Sequence, residues 1–172
     1  MLDESDKSLA ATAGDWLQAF ETALHGGGAS ALAQLFHREG HWRDLVAFTW
    51  HITTLSGAET IADDLARRSS KVAARGFLID PERTAPRRVT RAGEEVIEAI
   101  FRFETAAGRC AGVLRLKPPG KPADGPQAIS LLTTLEELRG FEETTGRRRP
   151  SGAAYSRDFR GPNWLDKRRA TA

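Results

Sequence analysis

Between residues 94 and 138 the chain alternates apolar and polar side chains in three successive runs. A period of two puts alternate side chains on opposite faces, so this stretch commits the chain to a sheet with one face to hide. In residues 94–105, Ile97, Ala99, Phe101 and Phe103 share one parity, and Glu94, Glu98, Arg102 and Glu104 take the other. A turn at Ala107-Gly108 leads into residues 109–117, which stop at Pro118-Pro119-Gly120. The loop to Pro126 is too rich in proline and glycine for regular structure. In residues 128–138 the same alternation sets Ile129, Leu131, Thr133 and Leu135 on one side.

Cover for that face has to come from upstream. Residues 5–25 repeat Leu9, Ala13, Trp16, Leu17, Phe20 and Leu24 at helical spacing, until Gly26-Gly27-Gly28 ends the helix by its backbone entropy. Residues 29–36 predict a short second helix with Leu32, Leu35 and Phe36 inward. Ser56-Gly-Ala-Glu59 has the spacing of a capping box and predicts a third helix of about 15 residues carrying Ile61, Leu65 and Val72 inward. Residues 77–79 read as a short strand stopped by Asp80-Pro81, and a turn-rich piece follows to Pro86. Two helices, a strand, a third helix and then antiparallel strands define an α+β class, with helices on one face of a curved sheet. There is no internal repeat.

Residues 37–56 carry the chemistry. Trp42, Asp44, Val46, Phe48, Trp50 and Ile52 share a parity, so an unbroken strand places all six on one face. A break near Leu45-Val46 would shift everything beyond it, and the sequence leaves both arrangements open. A carboxylate among aromatic rings is expensive to ionise, which makes Asp44 the first candidate for a general base. The structural alternative pairs it with Arg43, Arg115 or a backbone N–H. His51 is the candidate acid/base partner. Trp16, Phe20, Trp42, Phe48, Phe101 and Phe103 are either core or the lining of a cavity for an apolar ligand. His25, His37, His41 and His51 have no cysteine or clustered carboxylate to complete a metal set, so no metal is expected. Cys110, in mid-strand, reads as a small apolar core residue.

This order of elements resembles the nuclear transport factor 2-like superfamily, which includes ketosteroid isomerases, scytalone dehydratase and SnoaL-like polyketide cyclases. The resemblance covers roughly residues 8–138 and implies a cone-like fold with an open sheet face through which two copies pair. A helix ending at Phe36, followed by a strand with Asp44 in Gly-His-Trp-Arg-Asp, matches the ketosteroid isomerase base. The position matching the oxyanion-hole tyrosine is Phe20, and the one matching the protonated aspartate falls near Gly112, so both donors are missing. His41-Trp-Arg-Asp-Leu-Val-Ala-Phe-Thr-Trp50, Phe101-Arg-Phe-Glu-Thr105, Leu131-Leu-Thr-Thr-Leu-Glu-Glu-Leu-Arg-Gly140 and Gly161-Pro-Asn-Trp-Leu-Asp-Lys-Arg168 resemble the N-terminal region of large flavin-containing monooxygenases. That region precedes an FAD-binding domain there, and this chain holds no Gly-x-Gly-x-x-Gly after a strand.

Two functions follow. One is an isomerase, cyclase, dehydratase or epoxide hydrolase that uses Asp44 on a small apolar or polyketide-like molecule without a cofactor. The other is a non-catalytic accessory domain with a flavoprotein partner. Charge separates the parts: residues 139–172 carry net +5 and the first 138 carry net −3. Domains are therefore drawn at 5–138 and 139–172, the second a basic, irregular tail that reads as solvated or docking. Its Arg147-Arg148-Arg149-Pro150 has no aromatic interleaving to suggest nucleic acid. A lone cysteine, an acidic N-terminus and no bilayer-length apolar run place the protein in the cytoplasm.

Overall fold

A computed structural model describes residues 4–118, 125–146, 149 and 161–171, with residues 4–7 described by backbone alone. Most of the expected proline-rich loop, residues 119–124, lies outside the described residues, as do Arg147, Arg148 and tail residues 150–160. The chain divides into two compact units, Met1–Gly140 and Phe141–Ala172.

In the first unit, α1 (Glu4–Thr22) runs into a π-helical turn (Ala23–Gly27) and then α2 (Gly28–Leu35). Gly28 sits at φ +67°, a conformation only glycine adopts cheaply, so the third glycine allows the reversal between the helices. The chain continues through β1 (Phe36–Leu45), β2 (Ile52–Ser56), α3 (Ala58–Val72), β3 (Arg75–Ile79), β4 (Arg87–Arg91), β5 (Glu94–Glu104), β6 (Gly108–Lys117) and β7 (Gln127–Leu138). Among the described residues these form a seven-stranded sheet of order β2-β1-β7-β6-β5-β3, with β4 also on β5. Every pairing is antiparallel except β1 with β7. The architecture is α+β, a curved open sheet with helices on one side.

The buried face of the sheet contributes Trp42, Phe101, Phe103, Leu114 and Leu131 to one core with Trp16, Leu17, Phe20, Leu32, Ile61 and Leu65 from the helices. Burying a side chain of this size is worth about 1.5–3 kcal/mol, so the shared face dominates the stability of this unit. Glu21 ties α1 to β3 by accepting from the backbone of Gly76 at 2.9 Å and Phe77 at 3.0 Å.

Two local expectations change, one open alternative is decided and one unassigned stretch is filled. The shared-parity strand ends at Leu45, so β1 and β2 form a hairpin around residues 46–51. Ser56 does not cap α3: Gly57 holds that position, and the serine hydroxyl meets His41 Nδ1 at 2.8 Å. The stretch between Pro86 and Glu94, which the sequence left unassigned, contains a strand, β4, whose three arginines hid it from an apolar-period reading. Ala128, not Ile129, is the fully buried residue at the start of β7, because a bulge lies between the Ala128–Leu116 and Ser130–Arg115 pairs.

The second unit was expected to be irregular, and its described residues include a short helix, α4 (Trp164–Ala170). Asn163 caps it by accepting from Leu165 and Asp166, and Asp166 reaches back to the Asn163 amide. That reciprocal pair starts a helix too short for its apolar period to be visible.

Candidate functional site

Asp44 stands in the last turn of the pleat before β1 ends, on the helix-facing side of the sheet and fully buried. Its carboxylate gathers the loop that follows. Phe48 N–H donates to both oxygens, at 3.2 and 3.0 Å, and Thr49 N–H to Oδ2 at 2.8 Å. The Thr49 hydroxyl lies 2.7 Å from Oδ2, and the Thr133 hydroxyl of β7 lies 2.6 Å from Oδ1. Trp42 Nε1–H donates to Thr133 Oγ1 at 2.9 Å, which leaves that hydroxyl proton to point at Asp44. Each hydroxyl carries one proton, and the charged acceptor is the stronger claim on it. The Thr49 oxygen in turn accepts from His51 N–H at 3.1 Å.

A carboxylate has about four acceptor sites, and here four donor groups fill them. Of the three structural partners expected for Asp44, backbone N–H groups are the ones present. Arg43 reaches Thr54 and Arg115 reaches Glu98 instead.

The loop needs such an anchor. Val46 and Trp50 hold φ values of 60° and 57°, and neither is a glycine or asparagine. Left-handed backbone at non-glycine residues costs about 1–3 kcal/mol each and persists where the surroundings enforce it. Val46 N–H to His51 O, at 3.2 Å, closes the loop, and Asp44 satisfies the amides inside it. The result is an exposed Trp50, with 56% of its surface accessible, on a segment held from beneath.

Among the remaining predicted site residues, His51 is exposed and joins the Asp44 network through its backbone. Trp16 stacks on Phe20 at 5.1 Å, Phe77 on Phe103 at 4.6 Å, and Trp42 meets Phe48 edge-on at 5.5 Å. Phe101 borders that stacked pair, 6.0 Å from Phe77 and 5.8 Å from Phe103. Of the six aromatic candidates, Phe48 and Phe103 also line surface clefts, while Trp16, Phe20, Trp42 and Phe101 pack ring on ring within the core. The Phe101 ring also covers Gly112, where a Cβ would collide with it and with the Leu132 carbonyl.

Two clefts border these residues. One, of about 420 Å³, is walled by Ala47, Phe48, Trp50, Val72, Ala106 and Ala107, with Arg68 and Lys71 at its rim. The other, of about 770 Å³, has Phe103 and Cys110 among its walls and charged side chains of both signs around them. Burial pushes the Cys110 thiol up to about 11, so it stays protonated and unreactive near neutrality. His25 and His41 are engaged at separate places, with the Ala74 carbonyl and Ser56, and no group of three metal-ligating side chains occurs among the described residues. Thr133 and Thr49 are what sequence reasoning missed. Thr133 lay on the inward parity of β7 and could have been noticed as a hydroxyl on an apolar face.

The architecture is an α+β fold that is similar to solved structures with a cystatin-like fold. Solved structures similar to it include two proteins of Nostoc punctiforme with a cystatin-like fold, a domain and a protein of unknown function. The first is 15% identical at a TM-score of 0.50, covering 78% of this chain and 80% of its own. The second is 13% identical, also at 0.50, covering 78% and 94%. Nuclear transport factor 2 from Cryptosporidium parvum is also similar, at 11% identity and a TM-score of 0.46, over 79% of this chain and 98% of its own. No family model matches the chain, and no curated protein does. No helix among the described residues is long and apolar enough to cross a membrane.

Proposed function

We propose that this chain is a non-catalytic ligand-binding domain, in which Asp44 anchors the 46–51 loop and the loop presents Trp50 to a small apolar molecule. The observation that carries the reading is the filled acceptor set of Asp44. A general base needs a lone pair within reach of a substrate proton, and here every such position already faces a donor of the protein's own. Strain at Val46 and Trp50, held in place by that carboxylate, is what a loop pays to keep an aromatic side chain exposed. The adjoining cleft, at about 420 Å³, is within the range that small-molecule sites occupy. Its walls are mostly apolar, which suits a flat apolar or polyketide-like ligand.

The test is titration with an anilinonaphthalene sulfonate dye, followed by tryptophan quenching. Saturable binding is expected, and Trp50→Ala should weaken it by about tenfold or more while leaving the melting temperature within about 2 °C. Dye binding that is non-saturable, or unchanged in Trp50→Ala, removes this cleft as the site. The flavin-containing monooxygenase resemblance supplies a partner for such a domain, a flavoprotein to which it would act as an accessory. Co-purification of a yellow, FAD-bearing protein with the tagged chain tests that partner.

A further inference from the structure

The cleft beside Trp50 presents hydrogen-bond donors to a ligand and keeps its acceptors for itself. Its polar side chains are those of Thr49, Trp50, Arg68, Lys71 and Thr105. Both hydroxyls are buried and engaged within the protein. Thr49 Oγ1 donates to Asp44 and accepts from His51 N–H. Thr105 Oγ1 accepts from Ala107 N–H at 3.2 Å and from Gly108 N–H at 3.3 Å, which fills its two lone pairs. The Val72 carbonyl, at the C-terminal end of α3, accepts from Ala106 N–H at 2.9 Å. What remains is of one kind. The Trp50 indole N–H and the Lys71 ammonium have no hydrogen-bond partner among the described residues, and Arg68 uses only Nε, on Asp64 at 2.7 Å.

Charge points the same way. No carboxylate lines this cleft, whereas the larger one sets Asp80, Glu82, Glu104 and Glu136 among its arginines and so balances its own charge. Arg68 and Lys71 lie three residues apart on α3, which places their Cβ atoms about 5–6 Å apart on one side of the helix. Asp64, the carboxylate that Arg68 meets, is shared with Arg67, and Lys71 has no counter-ion among the described residues. Lys71 is in the last turn of α3, where a cation also offsets the negative end of the helix dipole. That role needs only charge near the helix end and leaves the ammonium donors free for a ligand.

We infer that the molecule taken up here is an amphipathic anion. Its flat apolar body lies against Trp50, Val72 and Ala106, and its carboxylate or sulfonate is held by Lys71 and the unused N–H groups of Arg68. The inference rests on the ligand-binding reading above and adds to it the charge of the ligand. An ammonium group would face two cations and no free side-chain acceptor. A neutral ring system would fit the apolar wall and gain nothing from the rim. The rim is open to water, so the charge-assisted bonds there add a modest factor to an affinity that the apolar contact supplies.

The experiment compares two dyes on the full chain by fluorescence titration: anilinonaphthalene sulfonate, and N-phenylnaphthylamine, the same ring system without the sulfonate. The sulfonate should bind about fivefold or more tightly, by a margin that shrinks in high salt. Lys71→Gln should bring that margin to about twofold or less, Lys71→Arg should keep it and Lys71→Glu should reverse it, with circular dichroism verifying the fold of each. Naphthoate should displace the sulfonate dye, and naphthylmethylamine, a cation of similar size, should not. Equal affinity for the two dyes overturns the anion, and whether Trp50→Ala weakens both then decides the ligand-binding reading separately. A margin that Lys71→Gln leaves intact overturns it too, because the anion would then sit elsewhere. Saturable binding of neither dye removes both readings.

Discussion

Of the three buried carboxylates among the described residues, Asp44 and Glu98 are held in opposite ways. Glu98, on β5, is surrounded by cations: Arg91 contacts both its oxygens at 3.0 and 3.1 Å, Arg115 lies at 2.9 Å and Arg87 at 3.2 Å. The hydrogen bond from Arg91, aided by those from Arg115 and Arg87, outweighs burial and holds its pKa down to about 2. Asp44, fully buried, has hydroxyl and amide donors in its shell and no cation among its hydrogen-bond partners. Charges can be supplied by long side chains reaching in from the rim, as the half-exposed arginines do. Amide donors can come only from backbone folded around the acceptor. Glu98 thus cross-links strands that exist without it, whereas Asp44 creates the loop that surrounds it.

That contrast can be broken at its strong end first. Asp44→Leu strands the Phe48 and Thr49 amides and the Thr133 hydroxyl without an acceptor, and should destabilise the domain by about 3–5 kcal/mol in urea unfolding. Asp44→Asn, which presents an NH₂ to donors, should still lose about 2–3 kcal/mol. An Asp44→Asn variant as stable as the parent would mean the donor shell does not hold the loop, and would reopen a catalytic role for this residue. Next comes Thr133→Val, which cuts the link from Trp42 to Asp44 and leaves a buried indole N–H unpaired, at about 1–3 kcal/mol. Altered fluorescence of Trp42 should accompany that loss.

Glu98→Gln gives the smallest change and the only one with a stated pH window. The folded pKa lies below the ordinary value of 4.5, so the ionised group stabilises the fold fully above pH 4.5. That increment is lost as pH falls from 4.5 through about 2. Because the arginines are partly solvated, it should amount to about 1–2 kcal/mol rather than the full equivalent of the shift. Acid titration of unfolding should show this limb flattened in Glu98→Gln.

Much of the architecture was legible because helices and strands write their period into the chain. The six apolar positions from Leu9 to Leu24 and the Ile97–Phe103 alternation are local patterns, and the structure keeps both. Asp44 was also legible, as a carboxylate at an inward position. The hairpin was not, for a physical reason: its loop contains no glycine, proline or asparagine. Such turns are normally recognised by the residues that tolerate them. Here Val46 and Trp50 hold left-handed backbone around the carboxylate of Asp44, near the end of the preceding strand, so no turn residue marks the bend. The continued parity of Phe48, Trp50 and Ile52 therefore left a longer strand and a break near Leu45-Val46 equally open.

By itself, the sequence determined the α+β class, the order of most elements and the inward position of Asp44, since each follows from residues near one another in the chain. Only the tertiary structure decided what that side chain does. Thr133 lies 89 residues beyond Asp44 and reaches it because β7 packs parallel to β1. A donor brought in by strand pairing leaves no periodic trace in the sequence, and the same holds for the exposed edge of β2, which exists only where the sheet ends.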